Sequence, residues 1–155
     1  MDAVLVSLVA VLGTLLGSVI TYLFQQRTAD RNESFARSER LRTERLAIYS
    51  AFAAVLTDHR NALVRVWHLK QRDPDAAEVR AASDEATRIG ATIDSAIFRV
   101  HLMTDDPTVI GFADAAHLPT LDVMDAESLE ELEDCERRSR DAIGTFILAA
   151  AHDVR

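Results

Sequence analysis

A run of uncharged residues from Ala3 to Phe24 constrains this chain more than any other feature. As a helix that rises ~1.5 Å per residue, these 22 residues cover about 33 Å, enough for the ~30 Å hydrocarbon core of a bilayer. A cleaved export signal normally has a positive start and a small-residue cleavage site, whereas only Met1 and Asp2 precede this run. The sequence therefore predicts a transmembrane helix over residues 3–24, with a cleaved signal and a buried soluble helix as the alternatives.

The basic residues after this run predict its orientation. Positive charge within about 20 residues of a span stays on the cytoplasmic side. No Lys or Arg precedes the run, and five arginines follow it in this window: Arg27, Arg31, Arg37, Arg40 and Arg42. We therefore expect a plasma-membrane protein with its amino terminus outside and the rest of the chain cytoplasmic. Arg27 and Arg31 are predicted to contact lipid head groups, so the bilayer is an expected partner.

The charge is divided unevenly along the remaining chain. Residues 25–72 carry ten Lys/Arg and five Asp/Glu, a balance of +5, while residues 73–155 carry seven and nineteen, a balance of −12. An acidic domain is repelled by polyanions, so the sequence argues against a nucleic-acid partner. The single cysteine, Cys135, excludes an intramolecular disulfide and is in keeping with a reducing compartment.

Helical periodicity predicts an all-α fold for the rest of the chain. Apolar residues recur at spacings of three and four, without strand-like alternation. Between Gly17 and Pro74 no Gly or Pro interrupts the pattern, so the membrane helix can continue to about Arg72. We predict a charged juxtamembrane stalk over 25–40 and an antiparallel cytoplasmic bundle of about four helices over 41–155.

The boundaries of the later helices follow from prolines and caps. Pro74, Pro107 and Pro119 are interpreted as breaks, with Asp106 as the cap that precedes Pro107. The second helix is expected to run as one face to Met103, the third from Pro107 to about His117, and the last from about Asp125. The apolar stripes predict these core positions: Leu41, Ile48, Tyr49, Phe52, Val55, Leu56, Ala62, Leu63, Val66 and Leu69 in the first helix; Val79, Ala82, Ala86, Ile89, Ile93, Ala96, Ile97 and Val100 in the second; Leu129, Leu132, Cys135, Ile143, Phe146, Ile147 and Ala150 in the last.

Small residues within the predicted span suggest a self-association face. Gly13 and Gly17 form a G-x-x-x-G pair, and Thr21 lies one turn further along the same face. Such residues let two membrane helices approach closely, although glycines are also simply tolerated in lipid. The heptad-like stripe after Leu41 can extend this pairing as a coiled coil, which would give a homodimer, but packing within one chain also explains it and is the favoured interpretation.

The polar residues within the stripe of the first helix are Arg45 and His59, with Tyr49 beside them. They are interpreted first as satisfied core or rim groups and, as an alternative, as a polar pocket for a ligand or pH sensing. The histidines do not follow the spacing of a metal site, and Cys135 is expected to be a buried packing thiol. We therefore predict no catalytic residue, no metal and no cofactor.

The segment RTERLAIYSAF contains Arg42, Arg45, Tyr49 and Phe52 at helical spacing. Together with the break DDPTVIGFADAA and the alanine-rich end FILAAAHDVR, this segment resembles a large group of uncharacterised small single-pass membrane proteins from high-GC actinobacteria. The resemblance implies a plasma-membrane helical protein and carries no activity with it.

These observations predict a non-enzymatic, membrane-anchored interaction or scaffold protein with a protein partner of unknown identity. The alternative is a membrane-tethered sensor or regulator that binds a small ligand within the bundle. A third hypothesis, an exported cell-surface protein, applies if the leading helix is cleaved or inverted.

Overall fold

The computed structural model describes the backbone of residues 2–73 and 77–155, and the side chains of residues 17, 22, 25, 33, 35–73 and 77–155. The predicted span over 3–24 lies outside the described side chains, apart from Gly17 and Tyr22. Gly13, Thr21, Arg27 and Arg31 lie outside them as well. Across the described residues, no helix is both long and apolar enough to cross a membrane.

The described chain consists of helices joined by short loops and contains no strand, which confirms the predicted all-α class. It divides into two compact units, residues 1–41 and residues 42–155. The helices, in chain order, are α1 (Asp2–Arg72), α2 (Ala77–Gly90), α3 (Ile93–Met103), α4 (Pro107–Leu121), a short 3₁₀ helix (Asp122–Asp125) and α5 (Leu129–Asp153). The second unit therefore contains the four predicted helical stretches, except that the second of these stretches is divided into α2 and α3.

The first unit shows exposed side chains wherever they are described. Arg37 pairs with Glu33 at 3.7 Å, as the helical spacing of the two residues predicts, and both side chains are about three-quarters exposed. An ion pair this exposed contributes little to stability because water screens it. Phe35 is also exposed in this stretch.

The second predicted helix is divided at Ala91 and Thr92, so the prediction of one continuous helix to Met103 was wrong. The backbone N–H of Thr92 donates to the carbonyl of Ile89 at 2.9 Å, and the Thr92 hydroxyl donates to the same oxygen at 2.7 Å. These bonds form a tight turn in place of the next α-helical hydrogen bond. Threonine side chains compete with helix bonds in this way.

The prediction that Pro119 breaks the third helix was also wrong, because α4 continues through it to Leu121. A proline in the last turn of a helix removes one hydrogen bond, which leaves the carbonyl four residues earlier without its donor. That carbonyl belongs to Ala115, an exposed residue, so water can replace the lost bond. The 3₁₀ helix Asp122–Asp125 then makes the turn that was expected at the proline.

Side-chain caps fix the starts of α4 and α5. The Asp106 carboxylate accepts from the backbone N–H of Thr108 at 2.8 Å, with Pro107 at the first position, as predicted. Ser128 caps α5 by accepting from the N–H of Glu131 at 3.2 Å. The Glu131 side chain accepts from the N–H of Glu127 at 2.8 Å. This S-x-x-E signal was missed in the sequence, from which the helix was expected to begin near Asp125.

The core of the second unit consists of two apolar clusters. The larger cluster gathers Tyr49, Phe52, Ala53, Leu56, Ile93, Val100, Val109, Ala113, Ala116, Ile143, Phe146 and Ala150. The smaller one gathers Leu63, Val66, Ala86, Val123, Leu132 and Cys135. Phe146 anchors the larger cluster through edge-to-face contacts with Tyr49 and Phe52, whose ring centroids lie 6.0 and 5.0 Å away. Most of the predicted core positions are buried, but Leu41, Leu129 and Ile147 are exposed.

Polar contacts at both ends show that the second-unit part of α1 runs antiparallel to α5. Tyr49, early in this part, meets Asp153 at the end of α5. Trp67, near the end of α1, donates from Nε1 to the carbonyl of Ala126 at 2.7 Å, just before α5 begins. The predicted antiparallel arrangement of these two long helices is therefore present.

Candidate functional site

Arg45 and Tyr49, two of the three residues predicted to form a polar pocket, lie together at one end of the bundle. The Tyr49 hydroxyl donates to Asp153 Oδ2 at 2.6 Å, and an Arg45 nitrogen lies 3.5 Å from the same oxygen. Arg45 Nε also donates to the carbonyl of Met103 at 3.0 Å. These contacts join α1, the end of α3 and α5. We call Arg45, Tyr49 and Asp153 the terminal triad.

The environment of Tyr49 keeps its phenol protonated. Burial and then the hydrogen bond to Asp153 raise the pKa of Tyr49 to about 12. A phenol with this pKa remains a hydrogen-bond donor at neutral pH and is a poor general base. The terminal triad therefore has the properties of a structural contact between helices.

His59, the third predicted residue, does not belong to the terminal triad. It lies ten residues after Tyr49 on α1, which corresponds to about 15 Å along a helix. Its neighbours belong to a polar layer between the two apolar clusters. Along the chain, each part of this layer lies between residues of one cluster and residues of the other. The layer consists of His59 and Arg60 on α1, Gly90 at the end of α2, His117 and Thr120 on α4, and Ser139 on α5; Gly90 and His117 are half-buried, and the others are buried.

The polar layer combines one satisfied pair with groups that lack partners. The hydroxyls of Thr120 and Ser139, both fully buried, lie 2.9 Å apart and share a hydrogen bond. By contrast, the Nδ1 atoms of His59 and His117 are buried without a hydrogen-bond partner. Burial and then the nearby His117 lower the pKa of His59, so its imidazole is held in the neutral form. Neither the unpaired atoms nor their common layer was apparent from helical periodicity.

Gly90 allows the imidazole of His59 to lie against the end of α2. A Cβ atom at position 90 would lie 2.9 Å from His59 Nε2, which is closer than real Cβ contacts. A glycine therefore suits this position because of the close approach of a side chain from another helix.

Arg60 carries a charge within the same layer and has no carboxylate partner. It is 8% exposed, and its Nε–H is buried without an acceptor. One of its terminal nitrogens donates to Asn61 Oδ1 at 3.3 Å, and no acidic residue in the described part of the chain forms an ion pair with it. Burial, and to a lesser extent the positive charge of Arg140, lowers the pKa of Arg60, whereas the negative charge of Glu136 raises it. Arg60 was not among the residues singled out from the sequence.

An apolar groove lies between α1 and α5 beside the terminal triad. It has a volume of about 270 Å³, and its residues include Leu46, Ser50, Ala53, Phe146, Ile147 and Ala150. Leu46 and Ile147 are 58% and 47% exposed, whereas Ala53, Phe146 and Ala150 are buried. We call this feature the α1–α5 groove. Ile147, which the periodicity placed in the core, is exposed and forms part of the rim of this groove.

Cys135 is buried and free, as predicted for a packing thiol. Its sulfur lies 3.2 Å from a terminal nitrogen of Arg138 and 3.6 Å from the carbonyl of Asp122. Asp114, which has helical spacing to His117, instead contacts His101 with an oxygen-to-nitrogen distance of 3.0 Å. Among the described residues, no three His, Cys, Asp or Glu side chains converge in a way that suits a metal ion.

Comparison with known proteins identifies the family of the chain. The family model for the KilB plasmid transfer protein matches residues 46–154, which contain both apolar clusters, the polar layer and the α1–α5 groove. No match was found among curated proteins or among solved structures. The matched range covers well over half of the chain, so this protein belongs to the KilB plasmid transfer protein family.

Proposed function

We propose that this chain is a membrane-anchored interaction protein that acts in plasmid transfer without catalysing a reaction. The observation that carries the proposal is that the KilB family model coincides with the helical bundle, from Leu46 to Val154. The bundle is therefore the part of the chain that we expect to act in plasmid transfer.

The contacts in the bundle support an interaction role more than ligand sensing. Arg45 and Tyr49 are already bonded to Asp153 and to a backbone carbonyl, and His59 lies in a different layer. The predicted polar pocket is therefore divided into two sites, each of which joins helices. The α1–α5 groove, by contrast, presents apolar surface to the outside, which is typical of a protein contact.

Membrane attachment is the second component of the proposal. It is supported by the 22 uncharged residues from Ala3 to Phe24 and by the arginines that follow them. In this proposal the bundle faces the cytoplasm. Anionic lipid attracts the basic stretch after Phe24 and repels the acidic residues of the bundle.

A mating experiment tests the role in transfer. The gene for this chain is deleted from a plasmid-bearing donor and then supplied again as wild type or without residues 2–24. We expect the transfer frequency to fall by at least tenfold on deletion, to recover with the wild type and to remain low with the truncated form. Unchanged transfer after deletion would contradict the proposal.

Three further measurements test the remaining components. A reporter that is active only in the cytoplasm, fused after Arg155, should be active and should sediment with membranes. Residues 2–24 should be retained in the mature chain, as judged by mass spectrometry. A thermal-shift screen addresses the sensor alternative, because a ligand that binds only the folded state raises the melting temperature. A strong hit that Arg45→Gln or His59→Gln abolishes would favour sensing.

A further inference from the structure

The first observation is the shape of the α1–α5 groove. Its floor is formed by Ala53, Ala150 and the ring of Phe146, and Leu46 and Ile147 stand at its edges. Small residues on the floor leave space for a large side chain from outside, and exposed apolar residues at the rim can contact the element that carries it.

The second observation is the unpaired charge of Arg60. A buried cation without a counter-ion destabilises a folded chain, and it becomes favourable only when an anion accepts its hydrogen bonds. The neighbouring charges do not supply that anion. Glu136, the acidic residue whose charge acts on Arg60, already pairs with Arg140 at 3.8 Å.

The third observation links the groove to the arginines. Ala53 precedes Arg60 by seven residues on α1, and Arg140 precedes Ile147 by seven on α5. Seven residues make almost two helical turns, so each pair lies on one face with a separation of about 10.5 Å. Because the two helices run antiparallel, the groove and the arginine pair follow one another along the same seam.

We propose that this seam binds a helix of a partner protein, which places one large apolar side chain in the α1–α5 groove and one Asp or Glu carboxylate against Arg60 and Arg140. The spacing of about 10.5 Å equals that of residues i and i+7 on a helix. The fork of an arginine matches a carboxylate in geometry and charge. This inference rests on the proposed interaction function, which it refines by naming the partner's chemistry.

The charge of the domain defines the rest of the partner helix. Residues 73–155 carry a balance of −12, so an extended polyanion is repelled at long range. A single carboxylate on a helix that is otherwise neutral or basic avoids this repulsion and still reaches the arginines at short range. The partner is therefore an amphipathic helix of low negative charge, which separates it from nucleic acid and from an anionic membrane.

A display selection tests this inference directly. A library of random 18-residue helical peptides is selected on the purified full-length chain in nanodiscs. We expect enriched peptides to carry Leu, Ile, Phe or Met seven residues from Asp or Glu, with few other acidic positions. Enrichment of peptides without a carboxylate, or with no preferred spacing, would overturn the inference.

Matched variants then locate the binding site. Arg60→Gln and Arg140→Gln should each weaken the best peptide at least tenfold in fluorescence anisotropy, and Ser50→Leu should do so by filling the groove. Arg99→Gln, at an exposed site on α3, is the control and should leave the dissociation constant unchanged. Replacing the peptide carboxylate by an amide should weaken binding of the peptide to the wild type. The same replacement should cause little further loss of affinity for the Arg60→Gln variant, because the two groups act as a pair.

The stability of the variants separates binding from a structural role. Since Arg60 lacks a counter-ion, Arg60→Gln should keep or raise the melting temperature of the free chain. A drop of several degrees would make Arg60 a structural group and would overturn the inference. Normal plasmid transfer by the combined Arg60→Gln and Ser50→Leu variant would also overturn it, while leaving the proposed function intact. Self-association that these substitutions abolish would assign the seam to a second copy and would likewise overturn it.

Discussion

At the scale of single residues, the polar layer contributes to the response of this fold to pH through His59. His59 is 6% exposed, and the imidazole of His117 on α4 approaches it. Arg60, its neighbour on α1, adds a further positive charge to the layer. The two interactions that shift the pKa of His59, burial and the charge of His117, both lower it, and neither comes from an anionic group. The folded state therefore opposes protonation of His59.

Acid is therefore expected to destabilise the bundle through His59. The unfolded chain binds a proton at this residue below about pH 6.5, whereas the folded chain binds it only at lower pH. Stability is then complete above pH 6.5 and falls below it by up to about 1.4 kcal/mol per pH unit until the folded pKa is passed. Urea unfolding between pH 7 and 5 should show this slope in the wild type, and His59→Gln should reduce it. An equal reduction with the exposed control His68→Gln would contradict this assignment.

Gly90 and Gly144 provide a matched test of the contact between α2 and His59. A methyl group at position 90 meets the imidazole at 2.9 Å, whereas at position 144 it meets nothing within 4 Å. Gly90→Ala should therefore cost about 1–2 kcal/mol through overpacking, while Gly144→Ala should stabilise α5 by about 0.5–1 kcal/mol. Thermal and urea unfolding measure both. The cost at position 90 should largely disappear in a His59→Ser background, and its persistence there would show that the imidazole is not the cause.

At the scale of elements, α1 and α5 are joined at each end by a polar contact. The terminal triad holds the end of α5, and the bond from Trp67 to the Ala126 carbonyl holds the segment before its start. Apolar packing between these ends is non-directional, so the two polar contacts fix the register of the helices.

Removing the Tyr49 hydroxyl should weaken the contact at the end of α5. Tyr49→Phe leaves the ring against Phe146 but deprives Asp153 of a 2.6 Å hydrogen bond, so we expect a loss of about 1–2 kcal/mol. Chemical unfolding gives this value, and hydrogen exchange should show faster opening of the last turn of α5. If Tyr49→Phe were neutral while Asp153→Ala cost the full amount, Arg45 rather than Tyr49 would be the important partner.

At the scale of the whole molecule, apolar burial is a feature of the unit of residues 42–155 rather than of the described side chains that precede it. All residues of both apolar clusters belong to the unit of residues 42–155. The side chains described between positions 35 and 44 are exposed. A helix with exposed side chains depends on its own propensity and on weak ion pairs, whereas the bundle depends on burial.

Residues 42–155 should therefore fold without the preceding unit. Expressed alone, this fragment should show cooperative thermal unfolding, with a midpoint within a few degrees of that of the full chain in nanodiscs. Circular dichroism follows the transition, and Phe52→Ala, which removes a fully buried ring, should lower its free energy by about 3–5 kcal/mol. A fragment that is unfolded, or that melts without cooperativity, would show that the first unit is required for the core.

Helix identity could be predicted from the sequence because it depends on local periodicity and caps. The repeat of apolar residues at three and four gave the all-α class and placed Phe52, Leu132 and Phe146 in the core. The Asp106 cap was predicted because it acts on the next residues of the chain. Where local signals compete, prediction failed: Pro119 stayed within α4, and Thr92 ended the helix that was expected to continue.

The sequence by itself determined the helices, the uneven charge and the long uncharged segment, since each depends on residues that are near one another in the chain. Only the tertiary structure decided that Tyr49 meets Asp153, that His59 lies against Gly90 and that Arg60 lacks a counter-ion. Such pairings join residues from different helices, and helical periodicity defines the face on which a side chain lies but not the side chain that opposes it.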